Sequence, residues 1–210
     1  MPDLSPYADI LASIRAEWNQ AERTIKDAEL AINEPIQPSI LELRYAGRRL
    51  IEALEKLATG GEQEDICKLL NDAYFNCLRA RHDAIDAASA GFIITINSVP
   101  EYLGYDPVLK AFPDFPELLL KLTKLSDLIA DSRSDRENRD KIYHSIEQGE
   151  FPKILELYKK FKSSEPLMEK LAGQQRSTTR RNDIFGWGGI IIGVVGLGVG
   201  IYSLGWNWIH

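Results

Sequence analysis

The sequence predicts an all-α protein: a helical bundle of five or six helices, followed by a single C-terminal transmembrane helix from roughly Ile184 to Ile209. Three observations predict it. Apolar residues recur at helical spacing through most of the first 173 residues. No pair of alternating apolar runs offers two partner strands. The run from Ile184 to Leu204 holds 21 residues without a charge, and at 1.5 Å per residue that is ~31 Å, about one hydrocarbon core.

The first helix is expected from Pro6 to about Asn33, with Ser5 as N-cap and Pro6 in the first turn. Ile14, Trp18, Ala21, Ile25, Ala28 and Ile32 form a heptad seam on it. Pro35 and Pro38 break it. The second runs from about Ser39 to Ala58 on a stripe of Ile40, Leu43, Gly47, Leu50, Leu54 and Leu57, and Thr59-Gly60-Gly61 ends it. The third starts near Glu62 and continues through Ala90 towards Asn97. Its stripe is Ile66, Leu69, Leu70, Ala73, Cys77, Ala84 and Ala88. Gly91 to Val99 has the β-branched content of a strand, but with no second strand available it reads as buried helix.

Pro100 to Pro116 reads as a loop with a short helical turn around Val108 to Phe112. A helix from Phe115 to Ala130 follows, carrying Leu118, Leu122, Leu125 and Ile129. Asp131 to Glu150 holds ten charged residues in twenty and reads as an exposed helix with few core contacts. Phe151-Pro152 opens a last helix through Ile154, Leu157, Tyr158 and Phe161 towards Leu171. The organisation is therefore a helical-bundle domain at 1–173, a basic juxtamembrane linker at 174–183 and the anchor at 184–209.

Charge and cysteine usage narrow the setting. The chain carries a formal net charge of −6; 22 basic and 30 acidic residues precede Arg176, a net of −8 over 1–175. Such a domain is a poor non-specific coat for nucleic acid, although a local basic pocket is compatible with it. Cys67 and Cys77 share one helix and lie ten residues apart, ~15 Å of rise against the ~7 Å a disulfide spans, which suits a reducing compartment. The N-terminus has neither a basic nor an apolar leader region and is not a signal peptide.

The membrane reading has further detail. Trp187 lies near one end of the span and Tyr202, Trp206 and Trp208 near the other, as an aromatic belt would place them. Arg176, Arg180 and Arg181 precede it and no Lys or Arg follows, so residues 1–183 are expected in the cytosol and His210 outside. Gly189, Gly193, Gly196 and Gly200 fall on one helical face as two GxxxG units, the pattern of helices that associate in lipid. The expected partners are a lipid bilayer, further copies of the chain, and an unidentified protein or small-molecule activator.

Two constellations bear on chemistry. Arg44, Arg48 and Arg49 on the second helix face Arg79, Arg81 and His82 on the third if the two are antiparallel neighbours. Arg44, Arg48 and Arg79 would then line an anion pocket; the alternative is pairing with Glu42, Glu52, Asp83 and Asp86. The other is Arg139-Asp140-Lys141-Ile142-Tyr143-His144, which fits R-[polar]-x-x-x-H. It resembles the catalytic motif of the HEPN superfamily, compact helical domains of which many are RNases and in which dimerisation brings two motifs together. The resemblance covers six residues. It implies Arg139 as phosphate binder, His144 as general acid/base and Asp140 as supporting polar residue, with RNA as substrate. The alternative is a solvated helix laced by Asp135–Arg139, Arg136–Asp140 and Glu137–Lys141 pairs. On an ideal helix Arg139 and His144 are ~140° apart and converge only at a helix start or across a dimer.

No P-loop, dinucleotide fingerprint, GxSxG, HxxxH or CxxC occurs, so no metal and no cofactor is expected. The function these features favour is a tail-anchored, self-associating membrane effector or adaptor, of the kind found in growth-arrest or phage-defence systems. Its cytosolic domain would sense a partner or ligand. A membrane-tethered HEPN-type RNase and a passive tail-anchored scaffold are the alternatives.

Overall fold

The structure is a computed structural model describing residues 3–135 and 137–177. Most of these residues are helical, with no strand among them. A 3-10 turn, Ser5–Tyr7, leads into α1 (Ala8–Ile32), α2 (Gln37–Ala58), α3 (Gln63–Leu103), α4 (Tyr105–Ala111), α5 (Phe115–Ser134) and α6 (Arg139–Gln148). A seventh helix, α7, occupies 150–177.

α3 is the spine. Its 41 residues extend ~60 Å, long enough to serve two cores in series. The N-terminal half packs with α2 and the start of α1 around Ile14, Ala46, Ala53, Ile66, Leu70 and Cys77. The C-terminal half packs with the end of α1 and with α4 to α7 in the larger core. There α7 inserts Tyr158 against Phe92, ring centroids 4.2 Å apart, and Phe161 edge-on to Phe112 at 5.6 Å. The α1/α2/α3 seam is built from small residues. Ala21, Ala28, Ala46, Ala53, Ala73, Ala80, Ala84 and Ala88 are all buried, which lets the backbones approach closely.

The turns follow from backbone chemistry. Asn33 adopts the left-handed conformation (φ 57°) that ends α1. Gly60 (φ 73°) and Gly104 (φ 90°) end α2 and α3 where a Cβ would be strained.

Several expectations need correction. The single C-terminal transmembrane helix is not part of the described fold: no helix among the described residues is long and apolar enough to cross a membrane. The longest uncharged stretch of α3, Ala87–Pro100, has 14 residues, ~21 Å of rise against a hydrocarbon core of ~30 Å. The segment expected to span, 184–209, lies outside the described residues, as do 178–183 of the linker; 174–177 continue α7. The helix count is seven among the described residues because the turn near Val108 is a helix of its own.

The Pro100–Pro116 loop shrinks to two short breaks, since α3 runs through Pro100 to Leu103. Ser5 does not cap α1; the 3-10 turn precedes it and Tyr7 holds the N-cap position. The α2 stripe is rotated: Ala46 and Ala53 are buried while Ile40 and Leu54 are exposed. Asp131–Glu150 is not one exposed helix. Asp135 accepts hydrogen bonds from the backbone N–H (3.1 Å) and Nδ2 (2.9 Å) of Asn138, which turns the chain between α5 and α6. Tyr143 and Ile146 of α6 are then completely buried.

Candidate anion-binding clefts

α6 is held by polar contacts as much as by apolar ones. Tyr143 donates its hydroxyl to Asp86 Oδ1 at 2.6 Å, and Arg133 of α5 pairs with the other oxygen of Asp86 at 3.0 Å. The Tyr143 ring stacks on His82 of α3. One turn on, Glu147 accepts from Gln20 Nε2 (2.9 Å) and Thr24 Oγ1 (2.6 Å) of α1 and from the Arg81 guanidinium. Arg81, its side chain only 6% exposed, also pairs with Glu17. One buried cation thus satisfies two carboxylates and ties α1, α3 and α6 together.

This docking sets the start of α6 against α3 and α5. Arg139 and Asp140 from α6, Phe75, Arg79 and His82 from α3, and Arg133 from α5 line a cleft of about 440 Å³. Small-molecule sites commonly fall in the range of about 300–1,000 Å³. Arg133 is paired with Asp86, but neither Arg79 nor Arg139 has an ion pair among the described residues. The Arg139 guanidinium lies 5.6 Å from the Tyr143 ring centroid, a cation–π contact. Its Nε is buried without a hydrogen-bond partner among the described residues. Arg139 is also the first residue of α6, where the helix leaves backbone N–H groups without intrahelical acceptors.

Burial pushes the His82 imidazole down to about 3, helped by the positive charges of Arg139 and Arg81. Its Nε2 is 3.7 Å from Asp140 Oδ1, too long for a hydrogen bond. The ring is therefore neutral near pH 7. Asp83 is pushed above the ordinary carboxylate range by desolvation and by Asp86, and Arg139 and Arg79 partly offset this.

A second cleft, of about 390 Å³, lies between α2 and α3 and is lined by Glu42, Tyr45, Arg48, Arg49, Asn76 and Arg79. Arg79 is common to both. Arg48 and Arg49 pair with Glu52 at 2.9 and 2.6 Å. Glu42 Oε2 is buried and has no hydrogen-bond partner among the described residues. Desolvation raises the Glu42 carboxyl; Arg79 counters this and Asp83 adds to it.

The expected site residues divide accordingly. Arg48 and Arg79 share the second cleft, whereas Arg44 sits over the Tyr45 ring at 5.5 Å and lines neither. Arg48 and Arg49 pair with Glu52, one of the four acids of the alternative reading. Arg139 and Asp140 line the first cleft, but His144 is exposed and outside its wall, so a single chain does not bring Arg139 and His144 together. The Asp135–Arg139 and Glu137–Lys141 pairs do not form; Asp135 bonds Asn138, and Lys141 bonds Asn138 Oδ1 at 3.2 Å. Arg136 lies outside the described residues, as do Gly189, Gly193, Gly196 and Gly200.

Sequence reasoning missed Arg133, Phe75 and Tyr143 as site elements. Tyr143 had a local signal, its three-residue spacing from Ile146; Arg133 and Phe75 had none, because only the tertiary fold brings α5 to α3. Among the described residues no group of three His, Cys, Asp or Glu side chains is placed to hold a metal ion. Compared with known proteins, the chain matches no family model, no curated protein and no solved structure.

Proposed function

We propose that the helical domain is the ligand-sensing part of an effector or adaptor, and that its ligand carries a phosphate ester. The observation that carries this reading is the first cleft. Two arginines that form no ion pair within 4.0 Å among the described residues, Arg79 and Arg139, meet there beside the open end of α6. A planar guanidinium matches two phosphate oxygens at once. The unsatisfied Arg139 Nε adds a donor that a bound anion would satisfy. The cleft favours binding over cleavage, because its imidazole, His82, is neutral near pH 7 with a lowered pKa, a poor general acid and a weak base there.

Calorimetric titration of the full chain with AMP and with pyrophosphate, at low salt, tests the reading. Binding should weaken at least tenfold in Arg139→Ala and in Arg79→Ala, and rising salt should reduce it in the wild type. No binding of either ligand at millimolar concentration would remove the reading.

The HEPN-type RNase is a second reading, favoured by one observation: His144 is exposed, next in sequence to the fully buried Tyr143, and a second copy can reach it. RNA cleavage by the full chain that disappears in His144→Ala would support it; uncut RNA at concentrations where the chain is dimeric would count against it. The wider role of membrane clustering rests on residues 184–209 and draws nothing from the described residues.

A further inference from the structure

The two clefts share Arg79, and each carries one exposed aromatic ring: Phe75, 49% exposed, in the first and Tyr45, 44% exposed, in the second. Each also has arginines of its own, Arg133 and Arg139 in one and Arg48 and Arg49 in the other. A phosphate contact beside a stacking surface is the recognition unit of one nucleotide, and here the unit occurs twice around a common guanidinium. Resting on the phosphate-ester reading above, we propose that the ligand is a dinucleotide laid across Arg79, with an amino-bearing base in the α2/α3 cleft against Glu42.

The base assignment comes from Glu42. Its Oε2 is a buried acceptor that meets no donor among the described residues, in a cleft that also presents Asn76 and the guanidinium groups of Arg48, Arg49 and Arg79. An exocyclic amine of adenine, cytosine or guanine supplies that donor; uracil has no such amine. The length assignment comes from charge. Residues 1–175 carry a net −8, Asp140 lines the first cleft, and Glu52 pairs with Arg48 and Arg49 of the second. A longer phosphodiester chain leaving either cleft meets this repulsion, and a dinucleotide does not.

The test is equilibrium binding of pApA, pUpU, AMP and a twenty-nucleotide oligoadenylate to the full chain and to Arg79→Ala and Glu42→Ala. pApA should bind at least tenfold more tightly than AMP or pUpU. Arg79→Ala should lose more than tenfold for pApA. Glu42→Ala should erase most of the pApA-over-pUpU preference with no loss of thermal stability, since it removes a half-buried carboxylate whose buried oxygen bonds nothing among the described residues. If AMP binds as tightly as pApA, the two-cleft ligand is wrong while the phosphate-ester reading stands. If pUpU equals pApA, the Glu42 assignment is wrong. A twenty-mer that binds more than tenfold tighter than pApA would replace the dinucleotide by a polynucleotide. No binding by any of them overturns both readings.

Discussion

The imidazole of His82 lies flat on the phenol of Tyr143, with ring centroids 3.8 Å apart and planes 17° from parallel. The stack joins α3 to α6, and His82 lines the first cleft. It also shields His82 from water, which is why the ring stays neutral.

That neutrality has a pH signature. The folded-state value of His82 is about 3, below the 6.5 of an exposed imidazole. Between those values the unfolded chain holds a proton that the folded chain lacks, so stability falls as pH falls through the window. Arg81, Arg139 and Asp140 face the ring, and of these only Asp140 would favour its charged form. Asp83 and Glu42 act oppositely: their raised values make the folded chain the better proton acceptor at mildly acidic pH. His82→Phe keeps the stack and removes the titrating group. Melting temperature should decline from pH 7 to pH 5.5 in the wild type and decline less in His82→Phe. Equal slopes in the two proteins would exclude His82 as the cause.

Arg81 presents the opposite electrostatic case, a buried charge that is matched. Replacing it by Met leaves Glu17 and Glu147 facing each other without their shared cation. Breaking a buried pair in this way costs about 3–5 kcal/mol. Urea denaturation of Arg81→Met should show a loss of that order. Adding Glu17→Gln and Glu147→Gln should recover part of it, because the uncompensated charges go. A loss below about 1 kcal/mol would place the network among weak surface pairs.

Tyr143 separates scaffold from site. In Tyr143→Phe the bond to Asp86 disappears, but Asp86 keeps Arg133, and the ring remains under Arg139. Stability should drop by about 1–2 kcal/mol, with phosphate-ester affinity within twofold of wild type. Tyr143→Leu removes the ring as well and should weaken ligand binding several-fold. Equal binding in the two variants would show that the cation–π contact does not position Arg139.

Much of this architecture is legible in the residues themselves. The α1 seam shows in its heptad, and Ile14, Ala21, Ile25 and Ala28 are buried as that spacing requires. Gly91–Val99 continues as helix, with no strand among the described residues to pair with it. Arg48 and Arg79 meet, as antiparallel neighbours on α2 and α3 should. What stayed hidden depends on distant partners. Tyr143 reaches Asp86 across 57 residues and Glu147 reaches Arg81 across 66, so the charge-rich stretch that holds α6 looks locally like a solvated helix. Small residues hide in another way. Ala46 and Ala53 carry little hydrophobic weight, so the stripe on α2 was drawn through larger neighbours.

The α2 seam yields the last prediction. Ala46 is fully buried where α2 meets its neighbours, whereas Leu54 is 54% exposed. Ala46→Leu must force the helices apart or shift rotamers and should cost about 1–3 kcal/mol. Leu54→Lys should stay within about 0.5 kcal/mol of wild type, as exposed positions do. Gly47 lies between these extremes. A Cβ there would sit 3.6 Å from Trp18 Cη2, an ordinary contact, so Gly47→Ala should gain most of the ~1 kcal/mol by which alanine exceeds glycine in a helix. Urea midpoints for the three variants rank the faces of α2. If Leu54→Lys proves more damaging than Ala46→Leu, the helix is rotated towards the Ile40–Leu54 stripe, and Arg48 and Arg49 would turn away from Arg79 with it.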